Sequence, residues 1–196
     1  MKGFFKGSAT ALITPFNENG INFDALEKLI EHQIAGGTAA IVILGTTGEP
    51  ATMSFEEERS VMEFAMKTVA GRTKVIFGCG SNNTTDAVEM AKLAEFIGAD
   101  GLLAVTPYYN KCTQNGLVAY YQAICEAVSI PVIGLGGISN YRDVIEFMLA
   151  GASAVQVGTA NFTNPMVMPE ILADLEEYMI KNGIDDINDI VGKLIV

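Results

Sequence analysis

The sequence is short of positive charge. Lysine and arginine total 12 against 23 aspartates and glutamates, a formal charge of -11 at pH 7. That balance argues against nucleic acid, because a phosphate backbone needs a Lys/Arg footprint. It also argues against docking on an anionic membrane surface. No uninterrupted apolar run approaches the roughly 18 residues of a spanning helix, so no membrane partner is expected. Met1-Lys2-Gly3-Phe4-Phe5-Lys6 carries two lysines but no apolar core or cleavage site, so it does not read as a signal peptide. Cysteine is scarce. Cys79, Cys112 and Cys125 have neither pair nor metal-ligand spacing, which predicts free thiols in a reducing, cytoplasmic setting. The one histidine, His32, sits mid-helix beside Glu31 and Gln33 and reads as a solvated or packing residue. The acidic run Glu56-Glu57-Glu58 is the first turn of a helix, favoured there by the helix dipole, and not a metal site.

What is present is an ordinary globular balance. Apolar residues make up 49% and charged residues 18%, which excludes disorder. The length suits one domain over residues 1–196. A single pattern recurs: a short, nearly continuous apolar run, then an amphipathic helical segment. The runs are Ser8–Ile13, Ala39–Leu44, Lys74–Cys79, Gly101–Val105, Pro131–Leu135 and Ser153–Val157. They have the character of parallel strands covered on both faces. Helices are expected at about 23–35, 54–70, 84–97, 115–128, 140–150 and 165–182, with a short last one at about 185–194. Ser54 and Glu57 form a capping box, Asn140 can cap the fifth helix, Asn164-Pro165 opens the sixth and Gly183 stops it.

Such alternation leaves a barrel or an open doubly wound sheet. No G-x-G-x-x-G follows the first strand, which weakens the dinucleotide-type open sheet. An eight-unit barrel usually needs about 250 residues. The predicted fold class is therefore α/β, a TIM-barrel-like (βα) repeat of about six parallel strands, shortened relative to an eight-fold barrel.

Two stretches carry candidate chemistry. After the second strand comes Gly45-Thr46-Thr47-Gly48-Glu49-Pro50, at the strand end where barrel active sites lie. Backbone N–H groups there can hold a carboxylate, and Thr46 and Thr47 can relay a proton. The plain alternative is a tight turn whose hydroxyls satisfy local backbone. After the fourth strand comes Val105-Thr106-Pro107-Tyr108-Tyr109-Asn110-Lys111, where the paired tyrosines read as packing, interface or site residues.

Taken in order, Gly7–Phe16, Leu44–Glu49 and Val105–Lys111 resemble the dihydrodipicolinate synthase family of pyruvate-dependent aldolases, over residues 1–130. The resemblance implies that Thr46 and Thr47 bind the pyruvate carboxylate, that Thr46 belongs to a proton relay, and that Tyr109 reaches into a neighbouring subunit's site. It also implies a Schiff-base lysine at the end of a sixth strand, but the family's fifth-strand motif never arrives here. Such a nucleophile needs a depressed pKa. Lys74 begins a strand, Lys111 lies in a polar loop, and Lys181 and Lys193 sit near helix C-termini, so no lysine ends a strand.

From Ile130 the pattern changes. Gly134-Leu135-Gly136-Gly137-Ile138 and Val157-Gly158-Thr159-Ala160-Asn161 are two Gly-rich strand ends about 22 residues apart, each opening onto a helix. Backbone N–H groups there suit a phosphate; the bland alternative is that the glycines only permit tight turns. Residues 131–196 resemble the C-terminal part of dihydroorotate dehydrogenase, another TIM barrel that uses FMN. The resemblance implies phosphate ligation by Gly136, Gly137, Gly158 and Thr159. The family's flavin and orotate residues are absent, so redox catalysis is not implied.

Two families meeting near Ser129–Pro131 read as a (βα)1-4 part joined to a (βα)7-8 part. The expectation is an engineered chimeric scaffold without complete catalysis, requiring no cofactor but able to hold phosphate, FMN or another phosphate-bearing small molecule. The alternative is a residual pyruvate-dependent lyase of the dihydrodipicolinate synthase type. Six strands can leave two open edges, so a homo-oligomer is expected.

Overall fold

In this computed structural model, residues 6–194 are described. The reading of Met1–Lys6 as no signal peptide therefore falls almost wholly outside them. The chain alternates strand and helix: β1 (Ala9–Ala11), a two-residue hairpin β2 (Phe16–Asn17) and β3 (Gly20–Ile21), α1 (Phe23–Ala35), β4 (Ala40–Ile43), α2 (Phe55–Val69), β5 (Lys74–Gly78), α3 (Thr84–Ile97), β6 (Gly101–Val105), α4 (Gln114–Ala127), β7 (Val132–Leu135), α5 (Tyr141–Leu149), β8 (Ala154–Gln156), α6 (Ala160–Thr163) and α7 (Val167–Asn182). The six long-range strands form a parallel sheet in the order β1-β4-β5-β6-β7-β8. This is the α/β, TIM-barrel-like (βα) repeat with six strands that the apolar runs predict.

The chain divides into two compact units. One comprises residues 6–79 and 88–103, the other residues 80–87 and 104–194. In the first, β1 pairs with β4 in the register Ala9↔Ala40 to Ala11↔Val42. Next, β4 pairs with β5, and β5 with the start of β6. Every residue of β4 is buried, as a central parallel strand requires. Its core includes Leu26, Ile30, Met62, Val75, Phe77 and Leu102. The helix α2 begins as its sequence predicts: the Ser54 side chain accepts from Glu57 N–H, and Glu57 Oε2 accepts from Ser54 N–H at 2.8 Å. Within this unit Arg72, just past α2, holds α1 by a bidentate pair with Glu31.

In the second unit, β7 and β8 pair from Ile133↔Ala154 to Leu135↔Gln156. The N–H of Thr106 donates to the carbonyl of Leu135 at 3.0 Å, tying the end of β6 to β7. The Tyr121 hydroxyl donates to the Ala104 carbonyl at 2.7 Å and lies 3.1 Å from that of Leu135. One buried phenol on α4 thus serves both strands at the place where the two sequence patterns meet. Its ring meets Phe147 of α5 edge-on at 4.8 Å.

Three boundaries differ from expectation. The sixth helix opens at Val167, not at Pro165, because Asn164 is extended and its side chain accepts from Met166 N–H, making a turn first. The last helix shrinks to a single 3-10 turn, Ile187–Ile190, capped by Asp186. The hairpin β2–β3 has strands too short for any alternation to be visible; Asn17 Oδ1 accepts from Asn19 N–H and Gly20 supplies the positive φ of +107°.

Candidate functional site

The stretch after β4 is a built turn. Leu44 is left-handed at φ +58°, Gly45 is extended, Thr46–Gly48 form a 3-10 turn, and Glu49 is left-handed again at φ +55°. Two non-glycine residues in this region cost of order 1 kcal/mol each, and they persist where surrounding structure holds them. The surroundings are specific. The Leu44 carbonyl crosses the Cα of Gly78 so closely that a Cβ there would lie 1.9 Å from its oxygen. The Thr14 hydroxyl donates to the Gly48 carbonyl at 2.7 Å. Thr14 is itself buried, 7% exposed. The N–H of Gly48 donates to Gly45 and that of Glu49 to Thr46.

Thr46 and Thr47 are exposed at the head of this turn. As the first two helical residues their N–H groups have no acceptor within the turn. Two consecutive amides and two hydroxyls form a donor set suited to a carboxylate. Motif reading missed Thr14. Its place between Ile13 and Pro15, just past a strand, was the available signal.

The other predicted site residues lie in the second unit. Tyr109 and Tyr108 stand in the loop after β6, 87% and 59% exposed. Lys111 follows in the same loop and is also exposed, whereas Lys74 opens β5 and bonds Asp100 at 2.6 Å. Among the described residues no lysine ends a strand.

Gly136, Gly137, Gly158 and Thr159 line a common cavity of about 530 Å³, with Ser139 and Gln156 on its wall. Gly136 and Gly137 have φ of +120° and +75°. At Gly136 a Cβ would meet Thr106 Oγ1 at 2.3 Å, while around Gly158 the space is open. The N-terminus of α5 beside them is already served by a carboxylate. Asp143 Oδ2 accepts from the N–H groups of Ser139 and Asn140, at 2.8 and 3.2 Å. A second cavity of about 390 Å³ shares Gly136 and Gly137 and is bordered by Lys111, Asp143 and Phe147.

Electrostatics separates the remaining candidates. Burial pushes the Glu58 carboxyl up to about 7, whereas bonds from Ser54 hold Glu57 below the usual range. Burial and the Glu126 charge push the Cys125 thiol up to about 12, which makes it a poor nucleophile. No group of three or more metal-ligating side chains occurs among the described residues, and no helix there is long and apolar enough to cross a membrane.

A parallel (βα) sheet with a strained threonine turn at a strand's C-terminal end defines a TIM-barrel-like α/β protein. Residues 4–134 match the model of the Dihydrodipicolinate synthetase family, and the chain belongs to that family. Residues 111–179 match a second model, Dihydroorotate dehydrogenase. The chain is 56% identical over 129 residues to the 4-hydroxy-tetrahydrodipicolinate synthase of Thermoanaerobacter sp. (strain X514), covering 66% of this chain and 43% of that protein. It is 54% identical over 189 residues to 4-hydroxy-tetrahydrodipicolinate synthase 1 of Clostridium acetobutylicum, covering 93% of this chain and 64% of the relative. The chain thus spans about half to two thirds of these relatives. The crystal structure of dihydrodipicolinate synthase from Aquifex aeolicus superposes with a TM-score of 0.68 at 33% identity, covering 94% of this chain and 80% of that one.

Proposed function

We propose that this chain is a residual pyruvate-dependent lyase of the dihydrodipicolinate synthase type, with Thr46 and Thr47 as its carboxylate-binding element. The observation that carries this reading is the turn itself. Strain at Leu44 and Glu49, the close approach at Gly78 and the Thr14 bond hold two adjacent threonines at a strand end. Such expense is hard to account for in a plain connector. The named activity of relatives at 54–56% identity supports it.

In this reading the turn's amides and hydroxyls orient the 2-oxo acid by its carboxylate, leaving the ketone open to an amine. Thr46 is the proton-relay residue that the family resemblance implies, and Tyr109 is the residue that reaches a neighbouring copy. The activity is residual because no lysine ends a strand among the described residues. An amine held elsewhere lacks the orientation that supplies most of such a rate.

Calorimetric titration with pyruvate tests the carboxylate element. Replacing both Thr46 and Thr47 by valine removes two hydroxyl donors to a charged group and should weaken binding by about tenfold or more. Equal binding by the variant and the parent would overturn this site.

A second reading, an engineered chimera retaining a phosphate or FMN-phosphate site, is favoured by two observations. The second family model covers residues 111–179, and Gly136, Gly137, Gly158 and Thr159 share one cavity. Their amides fit a phosphate group. The Asp143 carboxylate on neighbouring amides weighs against an anion there. So does α6, which is only four residues long. A single relative aligned to 93% of the chain weighs against a two-source origin. Finally, the ends of the six-stranded sheet support self-association as a homo-oligomer.

A further inference from the structure

We propose that two copies of this chain associate through unlike sheet edges, β8 of one copy pairing in parallel with β1 of the other. This rests on the self-association reading above and names its surface.

Among the described residues each edge strand has a single neighbour: β1 pairs with β4, and β8 with β7. On β1 the even-numbered residues spend their backbone groups on β4. The Ser8 carbonyl accepts from Ala40 N–H at 3.1 Å, and Leu12 N–H donates to Val42 at 2.9 Å. Strand alternation therefore turns the N–H and C=O of Ala9 and Ala11 to the free side. On β8 the odd-numbered residues face β7, since Ser153 N–H donates to Val132 at 2.8 Å. Ala154 and Gln156 thus turn their groups outward. Two residues on each edge offer matching donors and acceptors, in strands of three residues each.

Direction selects the pairing. All neighbours in this sheet are parallel, and β8 against β1 of a second copy continues that ladder. Like edges related by a two-fold axis would pair antiparallel. The side chains do not guard against it. Ala9, Ala11, Ala154 and Gln156 carry no charge, and no proline stands in either strand, although lysine, proline and charge are the usual protections of an edge.

Uncovered apolar groups flank both edges. Ile13, 53% exposed, and Phe16 follow β1; Phe162, Met166 and Leu172 follow β8. On α7, Val167 and Ile171 are buried, but Met168 and Leu172, their neighbours one turn apart, are not. The occupant is a second copy because this chain itself carries both halves of the match. The charge of -11 on each copy opposes association, so added salt should strengthen it.

Sedimentation velocity tests this with Ala11→Pro and Ala154→Pro, singly and mixed in equal amounts. Each proline removes only an outward N–H and leaves the internal ladder intact. The parent should associate, each variant alone should be monomeric, and the mixture should form a heterodimer through its one unblocked β8–β1 pair. A parent that stays monomeric up to about 1 mM, a concentration at which even a millimolar Kd would give a large associated fraction, overturns self-association itself. A parent that associates while both variants do too overturns this surface alone. Loss in Ala11→Pro only would instead mean like-edge pairing and equally overturns it. Should a proline variant lose its cooperative thermal melt, Ala11→Lys and Ala154→Lys replace the pair, with the same expected pattern.

Discussion

Gly78 and Leu44 are a matched pair. A Cβ at Gly78 would displace the Leu44 carbonyl, and that carbonyl is where the chain turns left-handed into the threonines. Thr14 completes the clamp by occupying the Gly48 carbonyl. Of these, the Thr46-Thr47 pair was legible as a motif, because composition and position after a strand announce it. Gly78 and Thr14 were not, since their roles depend on what β1 and β5 bring alongside β4. Glu58 makes a separate, measurable case at this scale. Burial raises its carboxyl from the ordinary 4.5 to about 7, so the folded state prefers the protonated form. Its stabilising contribution is complete below the unfolded value, and it is lost as pH rises from about 4.5 through about 7. Glu58→Gln should remove that decline. Thermal melts at pH 8 should gain of order 1 kcal/mol, the full shift being discounted for solvent screening of a half-buried group, and those at pH 4 should be unchanged. A parallel pH slope in parent and variant would show that the carboxyl is not desolvated.

Among the elements, the long ones were predictable and the short ones were not. All six apolar runs became the six strands, and the helices of α1 to α5 lie within about two residues of expectation. Continuous β-branched runs and capping residues carry that information locally. The β2–β3 hairpin, the turn α6 and the delayed start of α7 arise from Asn side chains competing for backbone, at positions where no period exists to be read. The join of β6 to β7 is the element most open to attack. Tyr121 is buried and its hydroxyl serves carbonyls on both strands. Tyr121→Phe keeps the ring contact with Phe147 and removes the hydroxyl. A loss of about 0.5–1.5 kcal/mol in denaturant unfolding is expected, the net worth of one buried hydrogen bond, since the Leu135 carbonyl keeps the Thr106 N–H. A change below about 0.5 kcal/mol, the scale of an ordinary surface substitution, would mean that the backbone bond of Thr106 suffices.

For the whole molecule, sequence reading placed the fold class and the family resemblance correctly from motifs in their order. It put the engineered scaffold first and the lyase second, because no lysine ends a strand and a second family's pattern follows Ile130. The two turns differ physically: the threonine turn is left-handed at two non-glycine residues and clamped, whereas the glycine turn has a carboxylate on its neighbouring amides. The family match over residues 4–134 and the alignment of 93% of the chain to one synthase favour the lyase. The most direct measurement is borohydride reduction of the folded protein in excess pyruvate, read by intact mass and peptide mapping. The account predicts a slowly formed adduct of one pyruvate on a lysine, strongly reduced when Thr46 and Thr47 are both valine. No adduct at saturating pyruvate, from protein with a normal thermal melt, would contradict the lyase reading and leave the binding scaffold in its place.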